Sequence, residues 1–91
     1  MTNKEICKAF AQGATEGKAN SMHIYENRIF SYDTCIAQRY GKKILFNVTK
    51  YSITTSKQQT YLRHAISQEG LEVVEVSNIR MYTRDLSKIK E

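Results

Sequence analysis

Six basic residues, Arg39, Lys42, Lys43, Lys50, Lys57 and Arg63, fall between Thr34 and Gln68, and no Asp or Glu interrupts them. The 91-residue chain has 14 basic and 9 acidic residues, so the rest carries 8 basic against 9 acidic and is nearly neutral. The net charge of +5 is therefore a regional property. Such a strip suits a polyanion, an acidic protein surface or an anionic lipid. Its alternative is a solvated face that keeps the protein in solution. Within the strip, Thr54-Thr55-Ser56-Lys57 stands where an apolar run gives way to a helical pattern. Free N–H groups at a helix start, with hydroxyls and a lysine beside them, form an anion-binding corner. One hydroxyl capping the helix while the others face water is the simpler reading. The glycines of a phosphate-cradling loop are missing here.

Aromatic residues are the second resource. Tyr25, Tyr32, Tyr40, Tyr51 and Tyr61 recur among the basic positions, and Tyr82 lies between Arg80 and Arg84. Tyrosine rings stack exposed bases while Lys and Arg hold phosphates, or fill a core that has a wet edge. Catalytic constellations are weak. Cys7, Cys35, His23 and His64 have no metal-ligand spacing and no signature of an activated nucleophile. Glu72 and Glu75, three positions apart in one strand, face opposite sides. The reading is a non-enzymatic protein without cofactor or metal, whose binding surface comprises Arg39, Lys42, Lys43, Lys50, Lys57, Arg63 and Tyr51, with Thr54 to Lys57 as the anion corner.

The elements that must position these residues follow from periodicity. Asn3 is placed to cap a helix from Lys4 to about Gln12, with Ile6 and Phe10 inward and Gly13 at its end. Gly13 to Asn20 is small and polar and reads as a loop. From Ser21 the period becomes two. Met22 and Ile24 alternate with His23 and Tyr25, Glu26-Asn27-Arg28 turns, and Ile29 to Tyr32 returns. Thr34 to Tyr40 follows, with Cys35, Ala37 and Arg39 on one side and Ile36, Gln38 and Tyr40 on the other. Gly41-Lys42 leads into Lys43 to about Thr49. Such short connections require an antiparallel meander. Thr55 with Gln58, or Ser56 with Gln59, has capping-box spacing for a second helix, Lys57 to Glu69, that ends at Gly70. Leu62, Ala65, Ile66 and Tyr61 form its inner stripe. Leu71 to Val76 is a fifth strand that need not neighbour the fourth. Between Asn78 and Glu91, Ile79, Met81 and Thr83 alternate like a strand, while Tyr82, Leu86 and Ile89 have helical spacing. The expected fold is a single α+β domain spanning 1–91: a helix, a four-strand antiparallel meander, a second helix, a fifth strand and a short extension. One face of the sheet needs cover, and the two helices supply it.

No apolar run approaches the roughly 18 to 20 residues of a membrane span, and the N-terminus lacks the apolar centre of a signal peptide. A cytoplasmic location with two reduced thiols is the expectation.

The segments Phe10 to Asn20, Asn47 with Thr49, and Tyr51-Ser52-x-Thr54-Thr55-Ser56-Lys57 resemble a family of small uncharacterised domains of bacteriophages, prophages and other mobile elements. The resemblance covers about two-thirds of the chain and implies a setting, a mobile-element accessory protein acting in a host cell, rather than a reaction. Two partner classes follow as expectations. The first is nucleic acid or a host nucleoprotein complex, and the second a protein target, as for an anti-CRISPR-type inhibitor of host defence. Mimicry of DNA is disfavoured by the positive charge. A homodimer through an open sheet edge is compatible with either.

Overall fold

The computed structural model describes residues 1–86. Two helices and one six-stranded sheet make an α+β fold, in the order α1 (Asn3–Ala11), β1 (Glu16–Lys18), β2 (Met22–Tyr25), β3 (Arg28–Ser31), β4 (Thr34–Tyr40), β5 (Lys43–Asn47), α2 (Ile53–Gln68) and β6 (Glu72–Val76). The strands lie in the sheet in sequence order. Neighbours from β1 to β5 pair antiparallel. Because α2 carries the chain back along the sheet, β6 enters parallel to β5, with Leu45 opposite Val74.

Several expectations are corrected. Glu16–Lys18, read as loop, forms an edge strand on β2; a three-residue strand with a glycine at its centre has too few side chains to show alternation. The fifth expected strand, now β6, takes the place beside β5, which its sequence position had left open. The sheet also has two covered faces, not one.

Thr2, not Asn3, caps α1: its hydroxyl accepts from the Glu5 N–H, and the Glu5 carboxylate accepts from the Thr2 N–H at 2.8 Å. This reciprocal pair satisfies two donors, where Asn3 would satisfy one. It also lowers the pKa of the exposed Glu5 carboxyl, chiefly through the Thr2 backbone bond. Ser52 caps α2 through the Thr55 N–H, so the helix starts four residues earlier than its expected start at Lys57. Gly70, at φ +67°, ends it as expected.

Ile6, Phe10, Met22, Ile24, Ile29, Ile44, Phe46, Leu62 and Ile66 fill the core between helices and sheet. A bulge between β3 and β4 sets Ile29 opposite Ala37 but Phe30 opposite Cys35. The extra residue, Ile36, packs with Ala37 beneath the helices, and Cys35 turns to the other face. Strict alternation, which put Cys35 and Ala37 together, fails at this point. The second face buries Phe30, Cys35 and Val76 under Ile79 and Leu86.

Those last two residues belong to an irregular strap over 77–86, neither strand nor helix. Hydrogen bonds tie it to the link after β5 and to β4. The Ile79 N–H donates to Thr49 Oγ1, the Cys35 N–H to the Thr83 carbonyl, and the Leu86 N–H to Gln38 Oε1. Arg84 lies over the Phe30 ring, and His23 stacks on that ring at 4.7 Å. Ile89, the last member of the expected helical pattern, lies outside the described residues.

Candidate binding surface at the strand–helix corner

The polar link from Asn47 to Gln59 is built mainly inward. Asn47 is fully buried. Its amide donates to the Cys35 carbonyl at 3.1 Å and to Tyr51 Oη at 2.9 Å, and its Oδ1 accepts from the Thr49 N–H at 3.0 Å. The Tyr51 hydroxyl donates onward to the Ile79 carbonyl at 2.7 Å. Gln59 donates to the carbonyls of Asn47 and Thr49. Gln58 accepts from Ser31 Oγ and donates to Ser21 Oγ. These bonds tie the end of β5 to the start of α2, to the strap and to the β3–β4 hairpin. Both glutamines are thus interior partners, not members of a capping box.

The anion corner shrinks accordingly. Thr55 is buried, with Oγ1 near Ser31 Oγ and accepting from Ser52 Oγ. The Ser56 N–H is bonded to the Ser52 carbonyl. Among the described residues, only the Ile53 and Thr54 amides of the first turn lack a capping or intrahelical partner. Thr54 and Lys57 are exposed.

The six cations do not form one surface. Arg39 is half-buried beside α1, donating to the Phe10 carbonyl at 2.6 Å with its guanidinium over the Phe10 ring. Lys42 and Lys43 sit at the β4–β5 turn, at the opposite end of β5 from the corner. Five strand residues separate them by roughly 13 Å. Arg63 pairs with Glu75 at 2.8 Å and lies over Phe46. Lys50 and Lys57 remain together, lining a groove of about 410 Å³ with Tyr51, Ser52, Ile53 and Ser56, and among the described residues no carboxylate lines it.

Beyond the shared wall of Tyr51 and Ser52 lies a cavity of about 160 Å³ bounded by Tyr32, Thr34, Met81 and Tyr82. Tyr32 and Tyr82 are 60% and 66% exposed, and Ile53 beside them is 79% exposed. Both tyrosines adopt left-handed backbone, φ +54° and +68°. That conformation is costly for a bulky side chain. Each is held there by its own amide: the Tyr32 N–H donates to the Ser21 carbonyl at 2.7 Å, and the Tyr82 N–H to Thr34 Oγ1 at 2.8 Å. Sequence reading included both among six tyrosines and singled out neither. The Tyr32-Asp33 pair between alternating strands was the available signal for the turn. Nothing in the sequence places Tyr82 beside it.

Both thiols are buried, and burial pushes each up to about 12. A groove of about 620 Å³ lies at the other end, where Arg39 is accompanied by Glu16, Glu26 and Tyr25. Among the described residues no helix is long and apolar enough to cross a membrane. Comparison with protein-family models, curated proteins and solved structures found no match.

Proposed function

We propose that this protein is a non-enzymatic nucleic-acid-binding protein, in the setting of a phage or other mobile element, that works through the corner where β5 meets α2. The observation that carries this reading is the groove of Lys50 and Lys57, free of carboxylates among the described residues and adjoining, across Tyr51 and Ser52, two exposed, backbone-anchored tyrosines. Cations there neutralise phosphates and the rings accept bases. Arg39 and Arg63 spend their charge on internal partners, so they are not first-rank contacts. With pKa values raised to about 12, neither Cys7 nor Cys35 offers a thiolate for nucleophilic chemistry near neutral pH.

The test is fluorescence anisotropy of labelled single- and double-stranded oligonucleotides across a salt series. Binding should weaken steeply with salt. The Lys50→Glu, Lys57→Glu double variant should flatten the slope of log K against log salt by about 1.4 on single strands, at about 0.7 per lost phosphate contact. An unchanged slope overturns the assignment of these lysines. No binding at low salt overturns the reading itself.

A protein-directed inhibitor is the second reading, favoured by Ile53 and Met81, whose exposed apolar side chains suit a protein interface better than a phosphate backbone. Capture of the same partner from nuclease-treated and untreated host lysate would support it.

A further inference from the structure

We infer that the cavity between Tyr32 and Tyr82 takes one unstacked pyrimidine base of a single strand whose phosphates lie in the Lys50–Lys57 groove; this rests on the nucleic-acid reading above. Size is the first reason. A cavity of about 150 Å³ in a protein core accommodates benzene, and this one, at about 160 Å³, matches a single six-membered ring. A purine's fused rings demand more room.

The lining is the second reason. Tyr32, Tyr82 and Met81 offer ring faces and a polarisable thioether, while Ser31 and Thr34 make part of the wall polar. Thr34 is 5% exposed. Its hydroxyl accepts from the Tyr82 N–H, and among the described residues no acceptor takes its hydrogen. A hydroxyl with a hydrogen to donate thus belongs to the cavity lining, suited to the carbonyl oxygen both pyrimidines carry. A phenylalanine side chain would leave it unused.

Continuity is the third. Cavity and groove share Tyr51 and Ser52, so a base and the phosphates of the same strand reach the two sites together. The backbone that carries each ring is held beforehand through the tyrosine's own amide, and binding loses less to ordering of the two loops. A base paired in a duplex cannot enter, so the site selects single strands.

Glycine is the informative substitution, because it removes the ring while accepting the left-handed backbone. Tyr32→Gly and Tyr82→Gly would be measured by anisotropy against oligothymidylate, oligodeoxyadenylate, a duplex and an abasic strand of equal length, with urea unfolding of each variant as the folding control. Wild type should prefer oligothymidylate to all three alternatives. Each glycine variant should weaken oligothymidylate binding about 5- to 150-fold, the range for one lost base–aromatic stack, and leave abasic binding unchanged. If the glycine variants bind oligothymidylate like wild type while the Lys50→Glu, Lys57→Glu variant does not, the base pocket is wrong and the groove stands. Equal wild-type binding to thymidylate and abasic strands also overturns the pocket. Failure of every nucleic acid at low salt overturns both.

Discussion

Replacing Asn47 by Ala should remove much of this protein's stability without touching a lysine. The buried amide serves three partners: the Cys35 carbonyl, Tyr51 Oη and the Thr49 N–H. The Cys35 carbonyl lies where the β3–β4 bulge leaves β4 out of step, and Cys35 is fully buried. A stranded buried carbonyl costs about 1–3 kcal/mol. The Thr49 amide, half-buried and nearer to water, adds about 1 kcal/mol at the low end of the same range. With about 1 kcal/mol for the lost Tyr51 contact, the sum is about 3–5 kcal/mol. Total stability for 91 residues is about 5–13 kcal/mol. Urea unfolding followed by circular dichroism, with m of about 1–1.5 kcal/mol per molar, should show the midpoint falling by about 2–5 M. Tyr51→Phe removes a donor to the Ile79 carbonyl and shares the network, so a double-mutant cycle with Asn47→Ala should give a coupling above about 0.5 kcal/mol. A midpoint shift below about 0.5 M for Asn47→Ala, or no coupling, would refute the claim that this corner is first a structural knot.

Leu62→Ala and Ile66→Ala, both on α2 and buried in the core between helices and sheet, should each cost about 2–4 kcal/mol in the same assay. Leu86→Ala should cost about as much if the strap is part of the fold, and should speed hydrogen exchange at the Cys35 amide, whose acceptor is Thr83. Ellman's reagent should leave Cys7 and Cys35 unmodified in the native protein at pH 8 and react with both in urea, since burial raises both thiols. His23 has its pKa lowered by burial and by Arg84, with Asp33 opposing. Below its unfolded value near 6.5 the unfolded chain binds the proton first, so this contribution, full above that pH, is lost as pH falls towards the folded value. His23→Phe should flatten the urea midpoint against pH just below 6.5.

Local chemistry alone determined the elements with regular periods. Met22 and Ile24, the run from Ile44 to Phe46, and the stripe of Leu62, Ala65 and Ile66 show their burial through spacing, because period 2 and period 3.6 act within a few residues. Hairpin connections short enough to force antiparallel pairing are equally local. Only the tertiary structure decided the rest. The bulge at Ile36 reverses which face Cys35 takes, and one extra residue in a strand leaves no mark in the apolar pattern. The strap is irregular, so Ile79 and Leu86 carry no period to recognise, and their burial depends on a sheet face made by distant residues. The same limit applies to the site. The charge strip is contiguous in sequence, but β5 sends Lys42 and Lys43 to one end and Lys50 and Lys57 to the other. Arg39 and Arg63 meet their partners Phe10 and Glu75 only through folding. Tyr32 and Tyr82 come together across fifty positions for that reason also: a hydrogen bond from the Tyr82 amide to Thr34 joins strap to hairpin, and no spacing rule reaches that far.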